Sequence, residues 1–243
     1  TSYTLPSFSC VEELAAATYK SYTGCFIRSF TFSYGKDGVS LSADVLAQTC
    51  AAVEGAGSLL TDEPAFLASS TPTTSQEANL FISSAVENSY DGDIDTADLV
   101  ATATNYQTRM ATFSITVDNG IDIENLRTWA ASNIIVRPER GNRTVSGSLV
   151  LDADSAYDLE AYINSVTTYA VEWDWDSGTV AGTAGSNYAA QIIVPDAAFN
   201  DVSYSHGTGG RRIATFPFTA LDTDATNGRV LATIWNEVSA YAA

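Results

Sequence analysis

Basic residues are scarce in this chain of 243 residues: 11 Lys plus Arg stand against 29 Asp plus Glu, a formal charge of −18. Such a polyanion repels nucleic acid and anionic lipid, which excludes tight DNA binding; passing DNA without holding it stays open. Histidine is limited to His206. No GxSxG elbow accompanies it, so a Ser-His-Asp triad lacks its nucleophile loop, and SHGTGG reads as a glycine-rich hairpin tip. Cysteine occurs only at 10, 25 and 50. The number is odd and no CxxC spacing exists, so neither a disulfide framework nor a zinc knuckle is expected; reduced, buried thiols are. No apolar run reaches the ~20 residues that span a bilayer. The opening TSYTLPSFSC lacks the basic start and apolar stretch of a signal peptide, and no membrane partner is expected.

Other motifs fail on inspection. DGDIDTAD carries Asp91, Asp93, Asp95 and Asp98, but Thr96 stands where a calcium loop needs glycine and Thr102 where it needs glutamate. GTGG at 207–210 lacks the lysine and spacing of a phosphate loop. Asn142-Arg143-Thr144 matches a glycosylation sequon without a secretory signal to give it meaning. With 29 acids, no glycosidase-like carboxylate pair can be singled out. No cofactor, metal or catalytic residue is expected.

What the chain does have is apolar and hydroxyl content suited to strands: 45% hydrophobic and 11% aromatic residues suffice for a folded interior. GCFIRSFTFSYGKDGVSLSADVL, residues 24–46, reads as a β-hairpin. Phe30, Phe32 and Tyr34, then Val39, Leu41, Ala43 and Val45, alternate with Ser, Thr and Asp44 on the opposite face. Alternation recurs over 111–117 and 145–151. Ile192 to Val194 form a short buried run stopped by Pro195, and strands at 213–218 and 230–235 bracket a turn-rich link.

Asp154 to Val166 reads as a helix, with capping-box spacing at Ser155 and Asp158 and an apolar stripe at Leu159, Tyr162, Ile163 and Val166. Weaker helical patterns cover 123–131 and 11–17. Residues 58–98 read as an irregular surface insertion with one apolar island, Leu80-Phe81-Ile82. The expected fold is mainly β: a single β-sandwich or barrel domain over 1–243, one flanking α-helix at about 154–166, and the 58–98 insertion. Open strand edges in such a fold are either hidden or used for assembly.

VEWDWDSG, residues 171–178, places Glu172, Asp174 and Asp176 on one strand face and Val171, Trp173 and Trp175 on the other. The acid row is either a solvated sheet face or the lining of something that must not bind an anion. Like charges along one face stabilise little.

In order and spacing, SYTLPSF, YTGCFIRSFTFSYGKDGVSLSADVL, ATFSITVDNGID, RTVSGSLVLDADSAYDLEAYI and the run from Gln191 to Asn236 resemble the tail tube proteins of long-tailed bacteriophages. The resemblance covers most of 2–236. It implies a non-enzymatic virion protein, made in the host cytoplasm. Six copies would form a ring, and rings would stack into a hollow tube with other tail proteins. Double-stranded DNA would pass through an acidic bore without specific binding. Glu172, Asp174, Asp176 and Asp44 are the candidate bore acids. Phe30, Phe32, Tyr34, Val39, Leu41 and Val45 form the candidate assembly hairpin, its apolar face packed on the sandwich. Two other classes compete: a β-sandwich binding or decoration module of a virion or cell surface, and an acidic β-sandwich hydrolase.

Overall fold

The structure, a computed structural model, describes residues 7–15, 18–35, 38–54, 78–83, 104–106, 110–121, 141–153, 161–164, 168–180, 187–206, 212–222 and 229–235. Thirteen strands lie among them. In chain order they are β1 (Phe8–Ala15), β2 (Thr18–Gly35), β3 (Gly38–Leu46), β4 (Thr49–Glu54), β5 (Ala78–Ser83), β6 (Thr104–Asn105) and β7 (Met110–Asp118). Then follow β8 (Thr144–Asp152), β9 (Tyr169–Val180), β10 (Asn187–Phe199), β11 (Ser203–His206), β12 (Arg212–Ala220) and β13 (Leu231–Trp235). Contacts divide the chain into two compact units. One holds Thr1–Thr31, Leu41–Pro72 and Thr116–Thr144; the other holds Phe32–Ser40, Thr73–Ile115 and Val145–Ala243.

In the first unit, β2 is the spine. β1 pairs with it antiparallel from Phe8↔Cys25 to Ala15↔Thr18, with irregularities at either end. β4 pairs with it from Thr18↔Glu54 to Thr23↔Thr49. Farther along, the Thr31 and Thr116 hydroxyls meet at 2.8 Å between β2 and β7. β7 ends in an Asp118-Asn119-Gly120 turn, where the Gly120 N–H donates to Asp118 Oδ1 at 2.7 Å. Asn119 then fastens the turn. Its backbone N–H donates to the Arg28 carbonyl, and its Nδ2 donates to the Ile27 carbonyl at 2.8 Å. Arg143 Nε donates to Asn119 Oδ1 at 3.0 Å.

In the second unit, hydrogen bonds join strands in the order β7-β8-β12-β10-β9-β5-β6, with β11 added to β12 and β13 to β10. The core centres on Trp173, which is fully buried. Its indole stacks on Phe113 at 6.0 Å, meets Phe32 edge-on at 4.8 Å, and touches Tyr34. Three strands separate β7 from β9 in the hydrogen-bonded order, so rings from β7 and β9 can stack only where the sheet of this unit curls. Phe199 packs edge-to-face on Phe216 and Phe218 in a second cluster. Burying each such side chain stabilises by about 1.5–3 kcal/mol. Gly147 lies opposite Phe218 in register; a Cβ there would collide with the Phe218 ring and the Ser114 carbonyl.

The mainly-β antiparallel class holds, and four expectations change. Residues 11–15 belong to β1, not to a helix, because pairing with β2 outweighs the helix propensity of Glu, Leu and Ala. The flanking helix over 154–166 is not supported: the described residues there form one turn, Ala161–Asn164, fewer than the residues a helix needs to offset its nucleation cost, and the rest of that stretch lies outside the described residues. Pro195 does not stop its strand. The register of β10 on β9 shifts between Val194 and Ala197, and such an irregularity tolerates the missing N–H of proline. The cysteines are not uniformly buried: Cys25 is buried, Cys10 half-buried and Cys50 exposed. The island at 80–82 does form a strand, β5. The helix at 123–131, the acidic loop at 91–98 and the rest of the 58–98 insertion lie outside the described residues.

Candidate assembly surface

β3 is the exceptional strand. Its side chains alternate as the sequence requires, yet every residue from 39 to 45 is exposed. The Ser33 and Ser40 hydroxyls meet at 2.8 Å, which puts the hydroxyls of β2 and β3 on one face. Alternation then puts Phe32 and Tyr34 with Val39 and Leu41 on the other. The two halves of this apolar face fare differently. Tyr34 is buried and Phe32 half-buried against Trp173, and Phe30 is half-buried. Val39, Leu41 and Val45 stay 50%, 69% and 40% exposed. Among the described strands, β3 pairs only with β2. Of the hairpin's apolar face, the β2 residues lie buried or half-buried and the β3 residues lie exposed.

Asp44 lies on β3 and is exposed; Arg28 Nη1 approaches its Oδ2 at 3.4 Å. A solvent-exposed pair of this length adds little stability.

The acids of β9 are placed otherwise than the sequence pattern suggests. Glu172 is 0% and Asp174 5% exposed. The Gln191 amide donates to Glu172 Oε1 at 3.1 Å. In register, Glu172 faces Phe81 of β5 and Ile193 of β10, and Asp174 faces Asn79 and Gln191. The alternation is as expected, but β9 lies between β5 and β10 and both its faces are covered over Val171–Asp174. Neither carboxylate lines open solvent in the isolated chain. Asp176 sits on β9, and its side chain lies outside the described residues.

Sequence spacing missed one juxtaposition. Cys10 Sγ and Cys25 Sγ lie 3.7 Å apart, brought together by the β1–β2 register. Beside them, the Tyr22 hydroxyl donates to Glu12 Oε2 at 2.8 Å. The anionic acceptor disfavours tyrosinate and pushes the Tyr22 pKa up to about 12.

Among the described residues, then, the structure shows antiparallel β pairing and one strand, β3, whose apolar stripe is exposed. The chain belongs to the phage tail tube protein family, whose model matches residues 1–228. Membership makes it a structural component of the virion tail, assembling with other tail proteins. No curated protein matches its sequence. Among solved structures, the chain is similar to a crystal structure of Hcp protein, with 14% identity and a TM-score of 0.33 over 65% of this chain and 99% of that one. At that distance the likeness carries no argument.

Proposed function

We propose that this chain is a single tail-tube domain with a surface insertion at 58–98, and that six copies close into a ring. Rings stack into a hollow tube, assembled in the host cytoplasm, through which double-stranded DNA leaves without adhering. The observation that carries this reading is β3. A strand with no second strand neighbour among the described residues and an exposed Val39, Leu41 and Val45 stripe is costly in a solitary protein, and a second copy would cover it. A contact that closes on itself gives a ring; one that does not gives a filament, and a tube needs both kinds.

The burial of Glu172 and Asp174 moves the acidic-bore proposal onto Asp44, the hydroxyl face of the hairpin, and the net charge of −18. At physiological salt, charges act over about 8 Å, so exposed carboxylates at that range repel passing phosphates. Hydroxyls offer little electrostatic friction.

Negative-stain electron microscopy of the concentrated protein tests this reading. Six-membered rings or hollow tubes are expected. A persistent monomer sinks the proposal and favours the binding-module reading; release of a small hydrolysis product would favour the hydrolase.

A further inference from the structure

We propose that Cys10 and Cys25 form a redox clasp, two thiols in the reduced protein that oxidise to a disulfide tying β1 to β2. Three observations carry it. The sulfurs are in van der Waals contact at 3.7 Å. They sit on adjacent, hydrogen-bonded strands, where the register pairs Cys10 with Tyr22 and Phe8 with Cys25 and shifts between Phe8 and Cys10, so the irregularity in β1 is what lets the two side chains meet. Their environments differ, with Cys25 buried and Cys10 half-buried.

That difference sets the order of events. Burial, then the hydrogen bond with Cys10, pushes the Cys25 thiol pKa up, so Cys25 resists ionising and is shielded from reagents. A peroxide reaches Cys10 first. The Cys10 thiolate attacks the peroxide O–O bond, giving a sulfenic acid and hydroxide, and the hydroxide takes up the proton that the thiol gave up to become water. The Cys25 thiol then attacks that sulfur; the S–S bond forms and the hydroxyl leaves as a second water. Two thiols lose two electrons and two protons, and one hydrogen peroxide becomes two waters.

The clasp closes a loop between residues 15 positions apart, which restricts the unfolded chain and resists peeling of the edge strand β1. Ring number and bore chemistry do not enter. Tail membership bears only on timing: a released particle passes from a reducing interior to an oxidising exterior, where disulfides persist.

The test uses the full chain, purified under reductant, treated with hydrogen peroxide, and mapped by non-reducing peptide mass spectrometry with thiol alkylation. The expected product links Cys10 to Cys25, leaves Cys50 alkylatable, and unfolds several degrees higher until reductant reverses the shift. Cys50→Ser should keep the response, and Cys10→Ser and Cys25→Ser should lose it. The mapping of the unaltered chain decides the matter even if a variant fails to fold. Cys10 and Cys25 both alkylated after oxidation, links made only through Cys50, or Cys10 stopping as sulfinic acid would each overturn the clasp.

Discussion

Single residues carry the β7 turn. Gly120 has φ +63°, and a Cβ there would lie 2.5 Å from the Asn142 carbonyl oxygen. Gly120→Ala should therefore lose about 2 kcal/mol or more in chemical denaturation, because the left-handed conformation and the collision both count against alanine. Asn119→Ala removes a buried amide with partners on Ile27 and Arg143; a loss of about 1–3 kcal/mol is expected in the same assay. Tyr22 gives a prediction of pH. Its folded pKa, about 12, lies above the ordinary value of 10.0, so the protonated phenol is the form that the fold favours. The stabilisation is complete below pH 10 and disappears as pH rises from 10 to 12. Tyrosinate absorbance should show Tyr22 titrating late, and Glu12→Gln should bring it back toward the ordinary range. A Tyr22 that titrates at 10 would remove the Glu12 bond from the account.

At the scale of elements, β3 and β9 invert their sequence readings. β3 has the alternation of a half-buried strand and is exposed at seven consecutive residues. β9 has the alternation of a half-solvated strand and is covered on both faces over Val171–Asp174. Alternation tells which residues share a face; it does not tell what lies against that face. The two strands should respond oppositely to mutation. Leu41→Asp should change the stability of the unassembled chain by no more than about 0.5 kcal/mol, since the side chain is exposed, yet abolish rings and tubes in electron micrographs. Trp173→Ala should cost about 3–5 kcal/mol by emptying the aromatic cluster. A Leu41→Asp protein that still forms tubes would remove β3 from the proposed interface. Replacing Asp174 by Lys would put a long cation into an enclosed position and perturb folding instead of reporting on DNA.

For the whole molecule, charge governs association. Copies carrying −18 each repel one another, and salt shortens the range of that repulsion from about 30 Å at 0.01 M to about 8 Å at 0.15 M. Tube formation followed by light scattering should accelerate over that range; inhibition by salt would mean that cross-subunit ion pairs dominate the contact. Assembled Asp44→Lys tubes should retain double-stranded DNA in a sedimentation assay more strongly than Asp44→Ser tubes, with retention falling as salt rises. Equal retention by both would take Asp44 out of the bore.

The sequence by itself determined the mainly-β class, the positions of the hairpin and of β7, β8, β12 and β13, the turn at Asp118-Asn119, and the surplus of acid. These follow from local rules, side-chain alternation and turn chemistry, that act within a few residues. Only the tertiary structure decided that residues 11–15 pair as a strand, that Pro195 sits at a shift of register, that Glu172 and Asp174 are enclosed while Leu41 is bare, and that Cys10 meets Cys25. Each of these depends on which distant segment lies alongside, and a period-two pattern carries no record of its neighbour.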